Sequence, residues 1–172
     1  MKKILIIFFI FFFQFNFAIA NTKIAFIDMN KVISTSKPGS SMLSQLNDIN
    51  KTNLNKFKNE TKKLKEKESK LILQKNILSE TDFQNNIKKL KLEIDNYNVS
   101  RDKINNNFNK LRIDSTNELL KLINPILINY SNEKLISIIF KKKDLVIGMT
   151  ELDITDEIIK IMNKDIKEFK IQ

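Results

Sequence analysis

Between Ser41 and about Leu122 the chain has neither proline nor glycine, and its apolar residues recur at helical spacing. So long a stretch without a breaker, carrying that period, restricts the backbone to helix. Phe83, Ile87, Leu90, Ile94, Tyr97, Ile104, Phe108 and Leu111 follow alternating steps of four and three, with Arg101 the one polar intrusion. That is a heptad seam sustained over several heptads. The preceding segment carries a thinner stripe, Leu43, Phe57, Leu64, Leu71 and Leu78, with Asn50 in the same row. Its second seam row is polar: Asn53, Glu60, Lys67 and Gln74.

Two arms of one hairpin explain the change in density better than one continuous rod. Between the stripes, Ser79 is placed to cap a new helix with Asp82 at its third position, and Leu78 to staple onto Phe83. Folding about that turn sets Leu71 opposite Leu90, Leu64 opposite Tyr97 and Phe57 opposite Ile104, a constant sum as antiparallel pairing requires. Arms of roughly 36 residues make a prong about 54 Å long. With no third helix to complete a bundle, it should be extended, solvated and able to bend.

The flanks have β character. Lys23 to Asp28 reads as a short strand; Leu135–Phe140 and Leu145–Met149, joined by Lys141–Asp144, read as a β-hairpin. A final helix opens at Asp153 or Thr155 and carries Ile158, Ile159 and Met162 on one side. Pro125 perturbs the end of the long helix. The expected fold class is therefore α+β: a small three-stranded base with a long antiparallel helical hairpin inserted. Residues 21–40 and 126–172 form the base and residues 41–125 the prong. Alternate strand positions share a face, so Ile24, Phe26, Ile138, Phe140, Val146 and Met149 are the candidates for the core of the base and of the subunit contact. So small a sheet, with exposed edges, is marginal alone; edge pairing between chains predicts a homo-oligomer.

Residues 1–20 set the compartment. Lys2 and Lys3 precede the apolar run Ile4–Phe13, and Ala18-Ile19-Ala20 supplies small residues before Asn21. This is the pattern of a secretory signal peptide cleaved after Ala20, because Gln14 and Asn16 interrupt the run well short of the ~20 residues a spanning helix needs.

Composition narrows the chemistry. Cysteine, histidine and tryptophan do not occur, so the fold relies on packing, and the common zinc ligands and His-based triads are missing. Gly39 and Gly148 are the only glycines, too few for a phosphate-binding loop. No cofactor, no metal and no enzymatic activity is expected. The formal charge is +10, and +8 once Lys2 and Lys3 are removed. A basic surface attracts nucleic acid, anionic lipid or acidic protein. Export argues against nucleic acid, and so does the presence of Arg101 and Arg112 as the only arginines. AT-biased codon usage is the competing explanation for so many lysines.

The order of these elements resembles the Skp (OmpH-like) family of periplasmic chaperones. Lys23-Ile-Ala-Phe-Ile-Asp-Met-Asn-Lys-Val32 is similar to that family's opening strand and turn. The lysine-rich hairpin sits where theirs does. Asp144-Leu-Val-Ile-Gly-Met149 and Leu152-Asp-Ile-Thr-Asp-Glu-Ile-Ile159 are similar to its last strand and final helix. The resemblance implies a trimer whose strands complete a shared barrel. Its prongs would hold unfolded outer-membrane β-barrel proteins in the periplasm without ATP, with an anionic lipid or lipopolysaccharide surface as a further partner. The lipopolysaccharide-contacting cluster proposed for some members has no residue-by-residue counterpart here.

Lys51, Lys56, Lys58, Lys62, Lys63, Lys65, Lys67 and Lys70 outnumber Glu60, Glu66 and Glu68 on the first arm; they are the candidate basic surface for drawing in an acidic client. Leu73, Leu92, Val99 and Ile113 lie off the seam and offer apolar spots. The competing functional reading is an exported coiled-coil spacer of the cell envelope. A basic nucleic-acid binder would need the leader to be misread, and an enzyme ranks last.

Overall fold

A computed structural model describes residues 22–171; the expected leader and cleavage point lie outside them. Strand β1 (Lys23–Ile27) leads through helix α1 (Met29–Thr35) into α2 (Lys37–Leu73). A turn then reverses the chain into α3 (Glu80–Lys134), which is followed by strand β2 (Ile136–Lys141) and helix α4 (Thr155–Asp165).

The hairpin forms as its sequence dictates. Ser79 accepts a hydrogen bond from the Asp82 amide at 3.1 Å and donates its hydroxyl to the Asp82 carboxylate at 2.6 Å. Without this cap the Asp82 amide, one of the first amides of α3, would lack an intrahelical partner. At 1.5 Å per residue, the 37 residues of α2 extend about 55 Å. Pro125 lies inside α3 and removes the donor to the Lys121 carbonyl, yet the helix continues to Lys134. It ends on Leu135, held in the left-handed region at φ 55°.

The sheet corrects one expectation. Two strands form among the described residues, and β2 runs parallel to β1, with Ile24 beside Ile138 and Phe26 beside Phe140. Residues 145–149 make no ladder. Lys142–Asp144 winds into a 3-10 turn that carries the chain away from β2. The far side of β1 is already occupied, since the Ile154 amide donates to the Phe26 carbonyl at 3.0 Å.

Both helix roots enter the head. Ala25, Ile27 and Ile136 pack with Val32, Met42, Leu46, Leu119, Ile123, Ile158 and Met162 into one core. The core is thus shared between the sheet, all four helices and the stems of the prong. Ile158 and Met162 of α4 are buried and Ile159 half-buried, the face expected of that helix.

Two polar joints fix the head. Asp28 caps α1 through the Lys31 amide at 3.0 Å, while its own amide donates to the Thr155 hydroxyl at 2.9 Å. At the second joint, buried Ser36 accepts from the Gly39 amide at 3.2 Å. A Cβ on Gly39 would lie 1.9 Å from the Ile33 carbonyl oxygen, so only glycine lets α1 and α2 approach this closely.

Candidate functional site: a basic prong and an open sheet face

The two arms of the prong are held by few contacts. Phe57, Leu64, Leu71, Phe83, Leu90, Tyr97 and Ile104 are each half-buried along the seam. The Tyr97 hydroxyl lies 2.9 Å from that of Thr61 and donates to the Phe57 carbonyl at 3.4 Å, and Lys67 bonds Glu93 at 2.5 Å. These links bring together positions near those paired by the periodicity. The second row of the seam stays open, with Ile87 and Ile94 still 39% and 36% exposed. Asn53, Glu60, Lys67 and Gln74 on the facing arm supply no apolar partner for it.

Charge is concentrated on this prong. Residues 41–122 carry seventeen Lys and Arg against eleven Asp and Glu, whereas the rest of 22–171 carries eleven against nine. Most of the basic excess therefore projects away from the head. All eight lysines singled out on α2 are exposed. Lys63 pairs with Glu60 at 2.9 Å, Lys67 with Glu93, and Lys62 more distantly with Glu66 at 3.9 Å. The hydrogen bond from Lys63 holds the Glu60 carboxyl below its ordinary range. Lys51, Lys56, Lys58, Lys65 and Lys70 make no ion pair among the described residues. They face solvent.

Apolar side chains interrupt that surface. Leu73, Leu92, Val99 and Ile113 are all more than half exposed. So are Leu54, Ile72 and Ile77, which periodicity did not single out. Ile72, Leu73 and Ile77 cluster where the prong turns back. Their signal was an apolar density at the turn greater than the seam alone requires.

On the head, the sheet has two unlike faces. Ala25 and Ile27 turn into the core and are 4% and 2% exposed. Of Ile24, Phe26, Ile138, Phe140, Val146 and Met149, only Phe26 is buried within the chain. Parallel register places Ile24, Phe26, Ile138 and Phe140 on the opposite face, and alternation alone could not say which face meets the helices. Phe26 owes its burial to Gly148, whose missing Cβ would lie 2.7 Å from the ring, and to the Lys142 ammonium 5.8 Å from the ring centroid.

Ile24, Ile138 and Phe140 remain 41–47% exposed, while Val146 is fully exposed and Ile147 and Met149 largely so. Beside the second edge of β2, which pairs with no strand among the described residues, a groove of about 570 Å³ opens between α1 and α3. Met29, Ile33, Leu127 and Ile128 line it, together with Lys141 and Lys142. The segment after β2 is anchored at its far end, where Asp153 accepts from the Thr155 amide at 3.0 Å and from Lys142 at 3.1 Å, and also bonds the Thr155 hydroxyl. Burial pushes the Asp153 carboxyl up, but the bonds from Thr155 and Lys142 outweigh it and leave the group below its ordinary value.

The pattern of the family described as "Outer membrane protein (OmpH-like)" matches residues 23–162. No protein of curated function matches the chain. Among solved structures, the fold is similar to a candidate OmpH-like outer membrane chaperone from Caulobacter crescentus CB15, with a TM-score of 0.79 at 12% identity. The alignment covers 88% of this chain and 89% of that one. Identity that low carries the fold alone, but the family match spans both strands, the whole prong and most of α4. The chain is a member of the OmpH-like family.

Proposed function

We propose that the protein is an ATP-independent holdase of the periplasm, which receives unfolded outer-membrane β-barrel proteins between its prongs and prevents their aggregation. The observation that carries this reading is the pairing of a slender basic prong with a head that leaves one apolar sheet face uncovered. Membership of the OmpH-like family and the outer-membrane chaperone named for the Caulobacter fold relative support the same role.

Assembly comes first. In this reading residues 145–149 of one copy add to the free edge of a neighbour's β2, seat apolar side chains against the 570 Å³ groove and cover Ile138 and Phe140. Closing the ring with three copies supplies the third strand per chain that a single chain lacks. Unpaired edges disappear, and three prongs stand around one space.

Capture then follows from charge and loose packing. An unfolded acidic client is drawn toward the unpaired lysines of α2, over a range set by a Debye length of about 8 Å at physiological salt. The exposed apolar residues of the prong give weak, dispersed contacts, and enclosure keeps clients apart. No step requires a nucleotide or a catalytic group.

The test is dilution of a urea-denatured outer-membrane β-barrel protein into buffer with and without the chain, scored by light scattering. Suppression at one assembly per client, weakening as salt rises, is the expected result. Full aggregation at that ratio removes the holding role and leaves a structural spacer. Replacing Lys56, Lys58, Lys65 and Lys70 with Gln should slow capture and flatten its salt dependence; an unchanged salt slope would refute the electrostatic half.

A further inference from the structure

The family match ends at residue 162, within α4, and the chain continues past that helix along the head. The Ile166 amide closes α4 on the Met162 carbonyl at 2.8 Å. Residues 166–171 then run without helix or strand. They are nonetheless firmly attached. Phe169 is 7% exposed and belongs to the core shared with Met42, Leu46 and Leu119, and Ile171 packs against that core.

The attachment is concentrated on one side chain. Gln45 Nε2 donates to the Phe169 carbonyl at 2.6 Å, and the Ile171 amide donates to Gln45 Oε1 at 3.1 Å. One carboxamide thus serves the carbonyl of one residue and the amide two positions later, as a residue of a parallel strand would. The Ser41 hydroxyl, one helical turn earlier, donates to the same Phe169 carbonyl at 3.1 Å. Ser41 and Gln45 sit on α2 where it leaves the head, since Leu46 is the last buried residue of that helix. On the other side, Phe169 and Ile171 border a hollow lined by Leu111, Ser115 and Leu122 of α3. The tail therefore bridges the roots of both arms.

We propose that residues 166–171 are a strap that fixes the direction of the prong relative to the head, with Gln45 as its fastening. The lever is long. With about 40 Å of α2 beyond Leu46, a swing of about 10° at the root displaces the tip by about 7 Å. Little else braces the prong beyond Leu46, because its seam is half-open. Control of the root is therefore control of the spacing at the tip.

The test needs no client, so its outcome is separate from that of the holding assay. The chain has no cysteine, so spin labels at Asn76→Cys on the turn and Lys160→Cys on α4 report one distance in assemblies diluted with unlabelled subunits. Gln45→Met keeps the stem and removes both hydrogen bonds, and a second variant lacks residues 166–172. The strap predicts at least a twofold wider distance distribution in each, with unchanged circular dichroism, and faster exchange of the Ile171 amide in Gln45→Met. An unchanged width in a folded Gln45→Met protein overturns the fastening, and an unchanged width in the folded truncated protein overturns the strap. Should either variant fail to fold, the other decides by the same criterion.

Discussion

Val146→Asp separates assembly from folding. Within one chain Val146 is fully exposed, so the fold loses no burial, and a surface change of this kind stays within about 0.5 kcal/mol. If a neighbouring copy covers it, the same change removes about 1.5 to 3 kcal/mol of apolar transfer at every contact. It also places a carboxylate against an apolar groove, which costs a further ~1 to 3 kcal/mol even after partial pairing with Lys141 or Lys142. The sum of about 2.5 to 6 kcal/mol weakens each contact by about sixtyfold or more. Sedimentation velocity at micromolar concentration should then show the oligomer replaced by a folded monomer with wild-type far-UV circular dichroism. Ile158→Ala provides the contrast. Ile158 is 0% exposed, and its truncation should cost about 2 to 5 kcal/mol of chain stability. An unchanged assembly mass for Val146→Asp would refute the argument that residues 145–149 mediate association, as would thermal destabilisation equal to that of Ile158→Ala.

Three further expectations follow from local geometry. Gly39→Ala forces a methyl group onto the Ile33 carbonyl oxygen, so it should cost about 3 kcal/mol, the upper end of the overpacking range, read as a lower denaturant midpoint. Leu135→Gly should stabilise the chain by about 0.5 to 1 kcal/mol: the left-handed backbone costs leucine about 1 to 2 kcal/mol, partly offset by the entropy of glycine, and Leu135 is already exposed. Because Thr155 and Lys142 depress Asp153 below its ordinary value, its contribution is full above the unfolded carboxyl pKa of about 3.9 and is lost as pH falls through the lower folded value. Asp153→Ala should therefore lower stability at pH 7 and flatten the acid limb of the stability profile below about pH 4, as followed by urea titration at stepped pH.

The prong was legible because its information is local. A seven-residue repeat, a polar second row on one arm and Ser79 before Asp82 together specify two helices and the turn between them. The sheet was less legible. β1 and β2 pair in parallel across more than a hundred residues of sequence, while Leu145–Met149 lies next to β2 and has the composition of a hairpin partner. Only the 3-10 turn at Lys142–Asp144 and the capture of the Phe26 carbonyl by Ile154 decide against it. Alternation identified two strand faces without assigning the inner one. Ala25 and Ile27 mark the inner face, because the helices pack on that side. The strap carried no readable signal at all. Phe169 and Ile171 are isolated apolar residues among lysines, and Gln45 is an ordinary helix residue until the tail lies beside it.

A prong built this way trades rigidity for reach. Its open row of Ile87 and Ile94 forfeits apolar contact that a leucine at Glu60 or Lys67 would supply, and low local stability is what permits sub-global bending. A rigid rod of the same length would enclose clients of one size only. A prong without a fixed root would not enclose anything. The chain places its strong interactions, the buried core and the Gln45 fastening, at the base, and leaves the distal seam half-packed. Under the proposed holding role, that division sets the opening by where the prongs start, and the fit to each client by how far they bend.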